Sequence, residues 1–127
     1  MQQILINIIQ NAIKFSPKMS QIIVTVETRF DGLKVNADIS IQDFGIGICA
    51  ADMSKLFQPF FKTQSQQSAD VNPSSHGLGI HISKQIAVGL GGDLIAASEV
   101  NKGSIFKLSL CLEMVEVVLN YAMDDSE

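Results

Sequence analysis

The sequence predicts an α+β fold, with helices packed on one face of a sheet whose strands are joined mainly by hairpins. Two segments, 2–15 and 77–90, repeat their apolar residues at helical period, and four β-branched, partly alternating segments fall into two pairs. Size is the third observation. A chain of 127 residues, 46% hydrophobic and 17% charged, forms one domain that can bury a core without staples.

Taken in order, residues 2–15 read as an amphipathic helix stopped by Ser16 and Pro17. QIIVTVETR (21–29) and KVNADISIQ (34–42) read as strands, and the FDGL between them supplies the Asp-Gly of a hairpin turn. DFGIGI (43–48) breaks the second strand with two glycines, and a short helix is expected over 50–57. Residues 63–76 contain one valine and no larger apolar residue; a connection of that length and polarity reads as a lid or binding loop. The second long helix opens on Gly77-Leu78-Gly79 and ends at Gly91-Gly92, as helices that close on glycine do. Residues 93–99 and 104–112 predict two more strands around the turn VNKGS, and 113–127 read as a C-terminal tail ending in Asp124-Asp125-Ser126-Glu127.

Composition excludes several classes. Net charge is −4, and no Lys/Arg block of the kind that tracks a nucleic-acid backbone is present. No run reaches the roughly 18 apolar residues that span a bilayer. The first apolar run, ILINII, is too short for a signal peptide and lacks a basic flank. Cys49 and Cys111 each lie inside an apolar run, which predicts buried free thiols and a reducing compartment.

The first helix carries the most informative pattern. Asn7, Asn11 and Lys14 fall within about 60° of one another around its axis, beside an apolar face. Amides at such a boundary cost about 1–3 kcal/mol each when they find no partner. They either face water and cap a loop or hold an ion or phosphate. Two glycine clusters bear on that choice. In DFGIGI, Asp43 leaves a strand into Gly45 and Gly47, where glycine lets the backbone approach a flat ligand and a carboxylate can accept from an exocyclic amine such as adenine's. In HGLGIHI the glycines open a helix whose free N–H groups favour phosphate. Amide oxygens suit a hard cation such as Mg²⁺, and Lys14 suits a phosphate oxygen. Together the parts fit a magnesium nucleotide.

This series resembles the catalytic, ATP-binding domain of sensor histidine kinases, within the gyrase/chaperone/histidine-kinase ATPase superfamily. QILINIIQNAIKFSP is similar to that family's N box, DFGIGI to its first glycine box and LFQPFFK to its F box. HGLGIHISKQIAVGLGG is similar to its second glycine box and NKGSIFKLSL to its last strand, so the resemblance runs from about residue 2 to 112. It implies a two-layer α/β sandwich, a mixed sheet with helices on one face, and ATP with Mg²⁺ as cofactors. By position it implies that Asn11 ligates the metal with Asn7 assisting there or at the phosphates, that Lys14 touches phosphate, and that Asp43 reads the adenine amine. Gly45, Gly47 and Ile48 would shape the adenine pocket, and Lys62, Gly77, Leu78 and Gly79 would lie at the lid and its phosphate-side end. Ser104 would bring a hydroxyl near the adenine. Phe57, Phe60 and Phe61 would anchor the lid or simply fill core.

The activity so implied is transfer of the γ-phosphoryl group of Mg-ATP to a histidine on a separate dimerisation domain, with a response-regulator receiver served indirectly. His76 and His81 do not match that acceptor, so the chain itself holds none. The superfamily's hydrolytic members carry a Glu where Asn7 stands here, and an amide cannot act as a general base at neutral pH. Transfer therefore fits better than hydrolysis. The resemblance also exposes departures: the chain starts inside the N-box helix, as if truncated, Ser75 replaces a glycine, and no Arg or Lys follows Lys62 in the lid. These favour the rival reading, a non-catalytic nucleotide-binding or scaffolding remnant. The resemblance implies a cytoplasmic domain, whose parent kinase can itself be membrane-anchored, and no membrane segment is expected in this chain.

Overall fold

The computed structural model describes residues 2–59 and 79–113. Their elements are helix α1 (Gln2–Phe15), strands β1 (Ile22–Asp31) and β2 (Lys34–Asp43), helix α2 (Ala50–Met53), helix α3 (Gly79–Gly89) and strands β3 (Asp93–Glu99) and β4 (Gly103–Glu113). The strands form one sheet in the order β1-β2-β4-β3.

Helix α1 buries Ile4, Ile8 and Ala12, one residue per turn on a single stripe. It stops where expected. The Ser16 hydroxyl donates to the Ala12 carbonyl at 2.6 Å, taking up one of the acceptors that a helix end orphans, and Pro17 cannot continue the turn. Helix α3 buries Ile80, Ser83 and Ala87 and closes with paired glycines. Gly91 takes φ +82°, its N–H donates to the Val88 carbonyl at 3.0 Å, and the Gly92 N–H donates to the Ala87 carbonyl at 2.9 Å. That is the Schellman pattern, which a left-handed glycine makes cheap.

In the β1–β2 hairpin Asp31 pairs with Lys34, which leaves Gly32 and Leu33 as a two-residue loop; Gly32 has φ +60°, as the first central residue of a type II′ turn requires. Register then places Ile41 opposite Phe106 and Leu94 opposite Leu108, all facing the helices. These side chains, with Ile4, Ile8, Ala12, Leu56, Ile80, Ala87 and Leu110, form the core. Helix α1 lies against β2, and α3 against β3, β4 and α1. The α+β sandwich with helices on one sheet face is thus the architecture. The expected mixed sheet is corrected: all three pairings among the described residues are antiparallel. Two of the three are tight hairpins, a connection that admits only antiparallel pairing.

Two smaller expectations also change. The short helix is Ala50–Met53, followed by turns through Gln58, not a helix to 57. Its N-cap, Cys49, offers no side-chain hydrogen bond, and the Ser54 hydroxyl turns back to the Ala51 carbonyl instead. Both thiols, Cys49 and Cys111, are free and exposed, not buried. On β4 the buried positions are Phe106, Leu108 and Leu110, so alternation turns Cys111 to the outer face, and the compartment argument loses its support.

One ion pair ties α3 to the sheet. Lys84 Nζ reaches the Asp93 carboxylate and the Leu94 carbonyl, 2.9 Å away. The Lys84 hydrogen bond and the Leu94 N–H hold the Asp93 carboxyl below its ordinary value of 3.8. Its contribution is therefore complete above that value and is lost as pH falls through the lower folded value. The carboxylate is half exposed, so the pair adds little at neutral pH. The larger stabilisation is apolar. Leu108→Ala empties a fully buried position and is expected to cost about 2–5 kcal/mol in urea unfolding, against less than about 1 kcal/mol for the half-exposed Ile95→Ala.

Candidate functional site

The candidate site assembles where α1 ends, β2 ends and α3 begins. Asp43, the last residue of β2, is 7% exposed. Its Oδ1 accepts the Gly45 N–H at 3.0 Å, an Asx-type turn that swings the chain off the sheet. No partner of Oδ2 occurs among the described residues, so one carboxylate oxygen stays able to accept from a ligand.

The turn beyond Asp43 is pressed between two backbones. A Cβ at Gly45 would collide with the Phe15 carbonyl at the end of α1. A Cβ at Gly47, which has φ +74°, would collide with the Glu99 carbonyl in the β3–β4 turn. The Asn101 N–H donates to the Ile46 carbonyl at 2.8 Å from that turn, and the Ile48 N–H donates to Ser98 Oγ at 2.8 Å. Ser98 in turn bonds the Gly103 carbonyl at 2.8 Å and lies 2.7 Å from the Ser104 hydroxyl. Ser104 is buried and stands opposite Asp43 in the ladder. Asp43, Gly45, Gly47, Ile48 and Ser104 therefore form one connected cluster.

The stripe on α1 divides. Asn7 turns towards α3: its Nδ2 donates to Ser83 Oγ at 3.1 Å and to the Gly79 carbonyl at 3.3 Å, while its Oδ1 accepts from Gln3 at 3.0 Å. Asn11 is half-buried, and its amide has no hydrogen-bond partner among the described residues. Lys14 is exposed with its ammonium 5.4 Å from the Phe15 ring centroid. It shares an open cleft of about 460 Å³ with Phe15, Ser16, Pro17, Phe44, Gly45, Ile46 and Asn101. Gly79 opens α3 with room beside it, its nearest neighbour being the Asn7 side chain at 3.8 Å.

Lys62, Gly77 and Leu78 lie outside the described residues, as do Phe60, Phe61, Ser75, His76 and the polar loop. Phe57 is half-buried against the core, with Lys84 Nζ 5.0 Å from its ring centroid. His81 Nδ1 lies 3.0 Å from the Phe57 carbonyl, so that ring donates locally. Among the described residues no group of three His, Cys, Asp or Glu could hold a metal. A cation here would depend on amide oxygens together with ligand phosphates, which is magnesium chemistry rather than that of a thiolate or imidazole site.

The sequence reading missed Ser98 and Ser83. Each is a small polar residue at an inward position, Ser98 after Leu94 and Ala96, Ser83 between Ile80 and Ala87. That break in the apolar alternation was the available signal.

Comparison with known proteins identifies the family. The family model described as "Histidine kinase-, DNA gyrase B-, and HSP90-like ATPase" matches residues 1–114, and the chain belongs to that family. Its relatives are sensor histidine kinases. It is 37% identical over 116 residues to the virulence sensor protein BvgS of Bordetella bronchiseptica, covering 91% of this chain and 9% of that protein. It is 34% identical over 114 residues to the signal transduction histidine-protein kinase BarA of Escherichia coli, covering 90% of this chain and 12% of that protein. The chain thus spans about a tenth of the length of these relatives. Among solved structures, the mycobacterial sensor histidine kinase MprB superposes with a TM-score of 0.68 at 26% identity, over 86% of this chain and 68% of that one. Full-length ShkA, solved in complex with AMPPNP, superposes with a TM-score of 0.62 at 25% identity, over 85% of this chain and 20% of that one. No helix among the described residues is long and apolar enough to cross a membrane.

Ser98→Ala is expected to orphan the Ile48 N–H and loosen the turn, at a cost of about 1–3 kcal/mol in thermal or urea unfolding.

Proposed function

We propose that this chain binds Mg-ATP and presents its γ-phosphoryl group to a histidine on a separate dimerisation domain, in the cytoplasm, with a receiver domain downstream. The observation that carries the reading is Asp43: a buried carboxylate, one oxygen spent on its own turn, the other able to accept an exocyclic amine. Gly45 and Gly47 let the turn close against the Phe15 and Glu99 carbonyls, which would fix the wall against which an adenine lies, and Ile48 would continue that wall. Ser104 would add a hydroxyl beside Asp43.

Asn11, with Asn7, would hold Mg²⁺ through amide oxygens; the bound cation neutralises phosphate charge. Lys14 stands one turn beyond Asn11 and would neutralise a phosphate oxygen. Gly79, with Lys62, Gly77 and Leu78 before it, would close the phosphate end. No carboxylate stands at position 7, and the amide there donates to Gly79 and Ser83, so nothing on α1 takes a proton from water. Positioning and charge neutralisation are what these residues supply, which is what phosphoryl transfer needs.

Calorimetric titration with ADP tests this. Magnesium-dependent binding by the wild-type chain, weakened at least about tenfold by Asp43→Ala, is the expected outcome. A cooperatively folded chain that binds no nucleotide would contradict it and leave a scaffolding role.

A further inference from the structure

We propose that Ser83 is a positioning residue: its buried hydroxyl selects which end of the Asn7 amide faces α3, and so keeps the amide oxygen for the cation side. The inference rests on the nucleotide reading above and deepens it.

Ser83 is 0% exposed and sits on the apolar stripe of α3 between Ile80 and Ala87. An alanine would fill that stripe without a polar atom to satisfy. The hydroxyl carries one proton, which goes to the Gly79 carbonyl at 2.7 Å, one turn back on the same helix. Towards α1 the Ser83 oxygen can then only accept. It accepts from Asn7 Nδ2 at 3.1 Å, and the Gly79 carbonyl accepts from the same nitrogen at 3.3 Å.

Two acceptors with no proton left for Asn7 make the orientation one-sided. The NH₂ end donates twice into α3; with the amide reversed, its oxygen would face two lone-pair-bearing oxygens. Oδ1 is therefore directed away from α3, where its partner is Gln3, an exposed residue one turn earlier on α1. A long exposed amide can leave when a better partner arrives, whereas the α3 contacts cannot move without moving the helix. A hard cation ligates the oxygen of an amide and not its nitrogen. Ser83, together with the Gly79 carbonyl it bonds, thus sets the one orientation of Asn7 that serves a cation, in the way residues behind a metal ligand orient it. The same contacts join α1 to the helix that begins directly after residues 60–78.

The test is a double-mutant cycle read as the ratio of ADP affinities in excess Mg²⁺ and in EDTA, with melting curves to verify folding. Ser83→Ala is expected to lower the magnesium-dependent gain about tenfold while ADP affinity in EDTA stays at the wild-type value. Ser83→Thr, which keeps the hydroxyl, restores the gain, and in the Asn7→Ala background Ser83→Ala has no further effect. An unchanged gain in Ser83→Ala overturns the inference. So does equal weakening with and without Mg²⁺, or the same loss on top of Asn7→Ala, since either marks a packing role. A wild-type chain that binds no ADP overturns the nucleotide reading itself, and this inference with it.

Discussion

Everything at the candidate site depends on one steric constraint: three glycines let three backbones meet around the end of β2. Gly45 lies against the carbonyl of Phe15, Gly47 against that of Glu99, and Gly103 against that of Asp43 itself. A Cβ at any of these would drive α1, the β3–β4 turn or β2 out of position. Because the space is closed by main chain, no rotamer change can relieve it. The Asp43 carboxylate is held near α1 by this contact together with the hydrogen bond it accepts from Gly45, the residue packed on Phe15. The Ser98 and Ser104 hydroxyls then satisfy the polar groups that such close packing strands, which is why the buried cluster tolerates its serines.

The second coupling runs between helices. Helix α1 supplies both the core stripe of Ile4, Ile8 and Ala12 and the polar stripe beside it, and the two stripes share one rotation of the helix. Burying the first against β2 and α3 determines where the second points. Asn7 meets α3, Asn11 has no amide partner among the described residues, and Lys14 reaches the cleft beside Gly45. Packing energy and site geometry are thus set by the same helical register, so a substitution that rotates α1 would disturb both.

The sequence made visible what local rules govern. The period of α1, the Gly32 turn, the Gly91-Gly92 stop and the existence of β4 each follow from nearest-neighbour chemistry, and all four match the structure. What depends on long-range register was harder to read. Cys111 sits in an apolar run, yet alternation along β4 turns it outward. Ser98 matters because β3 pairs it with Ser104, which no local pattern states. Asn7 was read towards a ligand, and the structure gives its amide nitrogen to α3, a partner more than seventy residues away along the chain. Two of the three pairings among the described residues are hairpins and so antiparallel, and the β2–β4 pairing is antiparallel as well, where family resemblance alone implied a mixed sheet.

The central claim is that a nucleotide lies between the α1 stripe and the Asp43 turn. Amide NMR of the ¹⁵N-labelled chain titrated with ADP and Mg²⁺ tests it most directly. The account predicts that the largest shifts fall on the backbone of residues 43–48 and on the side-chain amides of Asn7 and Asn11, with the outer-face positions Thr25 and Lys107 unmoved. Shifts confined to the outer face, or absent from 43–48 at saturation, would contradict it.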